Sequence, residues 1–120
     1  MQSPKNGRVR EGKYKAPVPF IPGCEGSGHV EALGEGVNGF SVGDAVAWIS
    51  SIGSYAEKAV VPAGRLVKLP TGVDLQNAAA LMVQGVTAYY LSHLTFELKP
   101  GREALVHVAA GGVGFRLTKR

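Results

Sequence analysis

A single cysteine, Cys24, leaves this 120-residue chain without any intrachain disulfide. Packing and hydrogen bonds alone must hold it, and the composition agrees with a reducing compartment. No apolar run approaches the roughly 18 residues that a membrane span requires. The opening, MQSPKNGRVR, lacks the apolar core of a secretory signal. A soluble, cytoplasmic protein with no membrane partner is therefore the default expectation. Metal donors are scarce too. One cysteine and three histidines (His29, His93 and His107), with no C-x-x-C pair, do not supply a zinc set of three or four ligands. Cys24, Glu25 and His29 lie close in sequence. They read most simply as a packed thiol, a hydrogen-bonded carboxylate and a core or edge histidine in a Gly-rich stretch. His107 is read in the same way, as filling a core or edge position of a strand. No Ser-His-Asp or Cys-His pairing can be placed, so the catalytic residues are left unassigned.

The net charge of +4 is unevenly spread. Residues 1–15 carry +4, residues 116–120 carry +3, and the stretch between carries −3. No basic stripe is interleaved with aromatics, which argues against a nucleic-acid partner. Glycine, by contrast, is plentiful at 17 residues, and it points to many turns in a β-rich body.

Residues 1–19 read as an irregular basic arm, with Pro4, Pro17 and Pro19. Residues 20–73 read as a small β-rich domain. Its expected strands are Gly28–Leu33, Ala45–Ile49, Tyr55–Val61 and Arg65–Leu69, closed by turns and prolines. Trp48 falls in the second of these and is expected in the core. Such spacing suits a small barrel or sandwich. Residues 74–103 change period from 2 to 3.6. Asp74 is placed to cap a helix over Leu75–Leu81, Gly85 interrupts, and Val86–Leu94 reads as a second helix. Residues 104–120 then open a different architecture. Ala104–Val108 reads as a buried, parallel-type strand.

That strand runs directly into Ala109-Ala110-Gly111-Gly112-Val113-Gly114. In a G-x-G-x-x-G turn the first glycine turns the chain, the second admits a pyrophosphate and the third lets helix and strand pack. Here those positions are Ala109, Gly111 and Gly114, with Gly112 as an additional glycine. Backbone N–H groups of Gly111–Gly114 would face phosphate oxygens at the start of a helix. The acidic residue that holds the ribose is expected about 20 residues later, beyond Arg120. Spacing alone also permits a plain glycine-rich turn.

Taken together, Gly23-Cys24-Glu25-Gly26-Ser27-Gly28-His29-Val30, Gly36-Val37 and Val42-Gly43-Asp44-Ala45-Val46 resemble the G-x-E-x-x-G-x-V…GD-x-V pattern of medium-chain dehydrogenases/reductases. Val83–Leu91 (VQGVTAYYL) and Val106–Gly114 (VHVAAGGVG) resemble its quinone oxidoreductase, zeta-crystallin-like branch. The resemblance spans roughly residues 10–118. It implies a mainly β fold with α: a partial GroES-like β-barrel domain leading through helices into the first βα unit of a Rossmann domain. It also implies NADPH as cofactor and hydride transfer to a quinone or enone. Zinc independence is implied because Cys24 stands where zinc-dependent relatives carry histidine. By the same resemblance Tyr14 and Thr87 match residues beside the nicotinamide, and Ala110, Gly111, Gly112, Val113 and Gly114 match the pyrophosphate turn. An enoyl reductase of a polyketide or fatty-acid synthase shares these features, and a non-catalytic GroES-like binding module is the reading from another class. The chain reads as a piece of a longer protein, so catalysis by it alone is not expected. Its exposed sheet edges favour a homo-oligomer.

Overall fold

The structure is a computed structural model that describes residues 8–15 and 17–119. Part of the expected basic arm, residues 1–7 and Ala16, therefore lies outside the described residues. Within the rest of the arm, residues 8–10 form a helical turn. Gly12 closes it at φ +73°, and Lys13 N–H donates to the Arg8 carbonyl at 2.9 Å. The chain divides into two compact units, one ending at Ala79 and the other beginning at Ala80.

The first unit is built on a three-stranded antiparallel sheet, β1 (Glu25–His29), β2 (Ala45–Ile49) and β3 (Leu66–Lys68), in that order. Glu25 pairs with Ile49 and His29 with Ala45, while Val46 pairs with Lys68. The central strand is the most apolar, and Val46, Ala47 and Trp48 are buried in succession. A strand covered on both faces reads as a continuous apolar run, which is why AVAWI is plain in the sequence. Beyond β1 the ladder continues at Val30, whose N–H donates to the Asp44 carbonyl at 3.0 Å. The Trp48 indole N–H donates to Ser54 Oγ at 3.3 Å.

The turn into β2 is fixed by Asp44. Its carboxylate accepts from the Ser41 N–H at 2.8 Å and pairs with Lys68 Nζ at 2.7 Å. The hydrogen bond from Lys68, then that from Ser41, holds the Asp44 carboxyl below its ordinary range. Lys68 also lies over the Phe40 ring, 5.6 Å from its centroid.

Two expectations need correction here. The first strand starts and ends earlier than Gly28–Leu33. Tyr55–Val61 is not a strand: residues 55–58 are bends and 59–61 are irregular, exposed except at Val61. Its residues favour strand, but β-propensity has no effect without a neighbouring ladder; the Tyr55 N–H donates to the Pro22 carbonyl at 3.0 Å without opening one. His29 is exposed at the end of the edge strand β1, which agrees with the edge position expected as one alternative.

Ser27 Oγ donates to the Leu75 carbonyl at 2.6 Å and so ties β1 to the start of helix α1 (Leu75–Tyr89). Asp74 caps this helix: its Oδ2 accepts from the Asn77 N–H at 2.9 Å. Asp74→Ala should cost about 1 kcal/mol of stability, and Asp74→Asn should restore most of it. Urea unfolding followed by circular dichroism would check both.

The two helices expected on either side of Gly85 are one. A single glycine costs a helix about 1 kcal/mol, and the neighbouring Ala, Leu, Met and Gln residues outweigh it. The irregularity comes later, as a π-helical turn over Tyr90–Thr95. There the buried Ser92 donates its hydroxyl back to the Ala88 carbonyl at 2.8 Å, a bond that bends helices. Tyr89 stacks on His93 in the same turn, with centroids 4.2 Å apart.

In the second unit Ala104–Val108 is not a strand, contrary to expectation: residues 104–106 are irregular, and His107 and Val108 already belong to the turn that follows. A parallel strand has no hydrogen bonds of its own, and among the described residues no neighbour supplies them. Leu105 and Val108 stand exposed, as does His107. Helix α2 (Gly112–Thr118) closes the unit. No helix among the described residues is long and apolar enough to cross a membrane.

Candidate functional site

The glycine turn between Val108 and α2 is the most constrained backbone in the second unit. Val108 adopts φ +54°, a left-handed conformation that a β-branched residue rarely takes. Strain of this kind costs on the order of 1–3 kcal/mol and collects at functional sites. The Val108 carbonyl accepts from the Gly111 N–H at 2.8 Å, which closes the turn. Gly111 then caps α2 from an extended conformation, φ −74° and ψ 166°.

The first intrahelical bond runs from the Phe115 N–H to the Gly111 carbonyl, at 2.8 Å. The N–H groups of Gly112, Val113 and Gly114 precede it, and the helix offers them no carbonyl. The positive end of the helix dipole lies behind them. Gly114 is buried where the helix meets the turn. A Cβ there would run into the Val108 carbonyl oxygen and come within 2.7 Å of Ala109 Cα. Only glycine lets the helix approach this closely. At Gly111 the fit is looser, with Val108 atoms at 3.1 Å. These are the features that a pyrophosphate-binding turn needs, so the residues present fit a dinucleotide.

The turn packs against α1. A Cβ on Gly112 would collide with the Gln84 carboxamide, whose Nε2 would lie 2.8 Å away. Thr87, half-buried, follows Gln84 by three residues and so shares its side of the helix. Ala110 is exposed, and Gly111, Gly112 and Val113 are partly so. Ala110–Gly114 and Gln84 are thus brought together within one unit. Tyr14, about half exposed, belongs to the other unit. Gln84 was not singled out by sequence reasoning, because only a contact with a distant segment distinguishes it from its helical neighbours.

Two hollows accompany these residues. In the second unit a hollow of about 610 Å3 is lined by Leu91, Phe96, Leu98, Val106, Val113 and Leu117, with the glycine turn on its wall. In the first unit a smaller one, about 210 Å3, is lined by Val9, Phe20, Pro22, Cys24 and Ile52. Cys24 is half-buried there, and its carbonyl accepts from the Ser51 N–H at 3.2 Å. Among the described residues no three His, Cys, Asp or Glu side chains are grouped to hold a metal.

An antiparallel β body, a long helix and a tight glycine turn opening a second helix are the architecture of a GroES-like domain and the α-rich segment that follows it. The chain belongs to the alcohol dehydrogenase GroES-like domain family, whose pattern matches residues 3–71. It is 48% identical over 107 residues to a quinone oxidoreductase of Pseudomonas aeruginosa, covering 88% of this chain and 33% of that protein. It is 41% identical over 99 residues to a 2-haloacrylate reductase of a Burkholderia species, covering 80% of this chain and 30% of that protein. The solved quinone oxidoreductase of Escherichia coli, complexed with NADPH, superposes with a TM-score of 0.92 at 34% identity, over 97% of this chain and 36% of that one. The resemblance to quinone oxidoreductases read from the motifs is thus borne out. The chain spans about a third of the length of the curated relatives it matches.

Proposed function

We propose that this chain provides the GroES-like domain and the pyrophosphate-binding turn of an NADPH-dependent, zinc-independent quinone oxidoreductase. The observation that carries this reading is the approach of Gly114 to the Val108 carbonyl. It holds the N–H groups of Gly112, Val113 and Gly114, to which the helix itself offers no carbonyl, at a tight turn. The Escherichia coli relative supports NADPH as the dinucleotide.

In this reading Ala110–Gly114 hold the pyrophosphate by backbone donors and helix dipole. Tyr14 and Thr87 flank the nicotinamide, and NADPH when bound supplies the hydride. The acceptor is an electron-poor double bond in a quinone or enone, and the 2-haloacrylate reductase supports the broader class. A single cysteine at the Gly23-Cys24-Glu25 position supports chemistry without zinc. The protein works in the cytoplasm, and the open edges of β1 and β3 favour association with further copies.

Fluorescence titration of the 120-residue chain with NADPH, and separately with NADH, tests this. Saturable binding in the micromolar range, tighter for NADPH, is expected. A folded chain that enhances the fluorescence of neither dinucleotide would sink the reading for this chain.

A further inference from the structure

The ladder between β1 and β2 changes register where β2 ends. Glu25 pairs with Ile49, so Ser50 would stand opposite Cys24 if the pairing ran on. Instead the Ser51 N–H donates to the Cys24 carbonyl at 3.2 Å, and two residues face one. That is a β-bulge, a device that turns a side chain out of the ladder and is common beside binding sites. Ser50 sits in it at φ +64°, a conformation that glycine takes freely and an L side chain only under strain. Eight glycines among the described residues adopt positive φ elsewhere, yet serine stands here. A bare turn would be better served by glycine, and what serine adds is a hydroxyl. Ser50 lines the hollow of the first unit, together with Val9, Phe20, Pro22, Cys24 and Ile52. The walls are mostly apolar. At about 210 Å3 the hollow is smaller than the roughly 300 Å3 at which pockets for drug-sized ligands begin, and it has room for one ring. Val9 belongs to the helical turn that leads to Tyr14.

We infer that this hollow takes the electron acceptor, a conjugated ketone carried on a single six-membered ring, and that Ser50 is its specificity-determining residue, the hydroxyl donating to the acceptor's carbonyl oxygen. This rests on the reading above, in which a quinone or enone is reduced and Tyr14 lies beside the nicotinamide. The apolar walls suit the face of an uncharged ring. The hydroxyl supplies the directional contact that tells a ketone from a hydrocarbon, and the bulge fixes where that hydroxyl stands. Two fused rings exceed the hollow.

The test uses the full chain and duroquinone (tetramethyl-1,4-benzoquinone), whose ring carries no hydrogen for a thiol to replace. Amide and methyl NMR shifts give both the site and the dissociation constant, with and without NADPH. Shifts centred on Val9, Cys24, Ser50 and Ile52 are expected. The fused-ring 2,3-dimethyl-1,4-naphthoquinone should bind about tenfold more weakly or worse, because its second ring overpacks the hollow. Ser50→Gly removes the hydroxyl and the strain together. It should raise Tm by about 3 °C. It should also weaken duroquinone about fivefold, the worth of one hydrogen bond. A purely structural serine would give the first change without the second. Ile52 is 64% exposed, so Ile52→Phe should fold normally. It fills the hollow and should weaken duroquinone by about tenfold or more. A Ser50→Gly chain that gains stability and holds duroquinone like wild type overturns the role of Ser50. Unchanged affinity in Ile52→Phe, or shifts centred on Leu98 and Leu117 instead, overturns the pocket. Duroquinone bound at Ser50 by a chain without affinity for NADPH would keep the pocket and sink the cofactor reading. NADPH binding with no duroquinone shift would do the reverse.

Discussion

Alanine at position 114 should weaken NADPH binding by well over tenfold, beyond about 1.4 kcal/mol, and should lower stability by about 1–3 kcal/mol. The added carbon meets backbone, not a side chain able to swing aside: the Val108 carbonyl oxygen and, at 2.7 and 3.0 Å, Cα and C of Ala109. Neither side can withdraw freely. The turn is held by the Gly111 N–H to Val108 carbonyl bond and the helix by the Phe115 N–H to Gly111 carbonyl bond, both 2.8 Å. Relief requires α2 to move off the turn, and that displaces the N–H groups of Gly112, Val113 and Gly114 together. Gly111→Ala should be milder, because its neighbours at 3.1 Å can yield by a few tenths of an ångström. Gly64→Ala is the control, since nothing lies within 4 Å of the carbon it adds. Parallel NADPH titrations and thermal melts of the three variants would rank them. A Gly114→Ala chain that binds NADPH like wild type would show that the turn is not the phosphate seat.

The glycine turn was legible because its meaning lies in local spacing. Gly111 and Gly114 stand where a tight turn and a close helix require them, whatever surrounds them. The central strand Ala45–Ile49 was legible for a related reason, since burial on both faces writes a continuous apolar run. The misreadings share a different cause. Tyr55–Val61 and Ala104–Val108 carry strand-forming residues, yet a strand exists only beside another, and pairing is not a local property. Gly85 looked like a break because single-residue propensity was weighed without the fifteen-residue helix around it. Gln84 escaped notice because its place against Gly112 depends on how two helices pack. β1 was displaced in the reading for a similar reason. The segment EGSGH shows no apolar alternation, and its pairing is set by what β2 lays over it.

That covering makes Gly26 the most sensitive position in the sheet. Gly26 pairs with Trp48 across the ladder, and a Cβ on it would lie 2.5 Å from the indole Cζ2 and 2.9 Å from Cη2. The indole cannot easily leave. Trp48 is only 9% exposed, and its N–H is engaged by Ser54. An aromatic ring laid over a strand glycine supplies the packing that the glycine itself lacks. Gly26→Ala should therefore destabilise the chain by about 1–3 kcal/mol, although alanine has the smaller backbone entropy cost. Gly26→Val adds the β-branched shape that strands favour and should still be worse, because sterics at this pair outweigh propensity. Trp48 is the sole tryptophan, so its fluorescence during urea unfolding reports on the contact that the substitution disturbs. Combining Gly26→Ala with Trp48→Leu separates the terms. The smaller side chain leaves room for the new methyl, so the double variant, followed by far-UV circular dichroism, should be less destabilised than the sum of the single changes by about 0.5–3 kcal/mol. Strict additivity would mean that the indole does not lie over Gly26 in solution. The first unit would then owe its stability to β2 and β3, with β1 held chiefly by its ladder hydrogen bonds and by the bond from Ser27 to the Leu75 carbonyl.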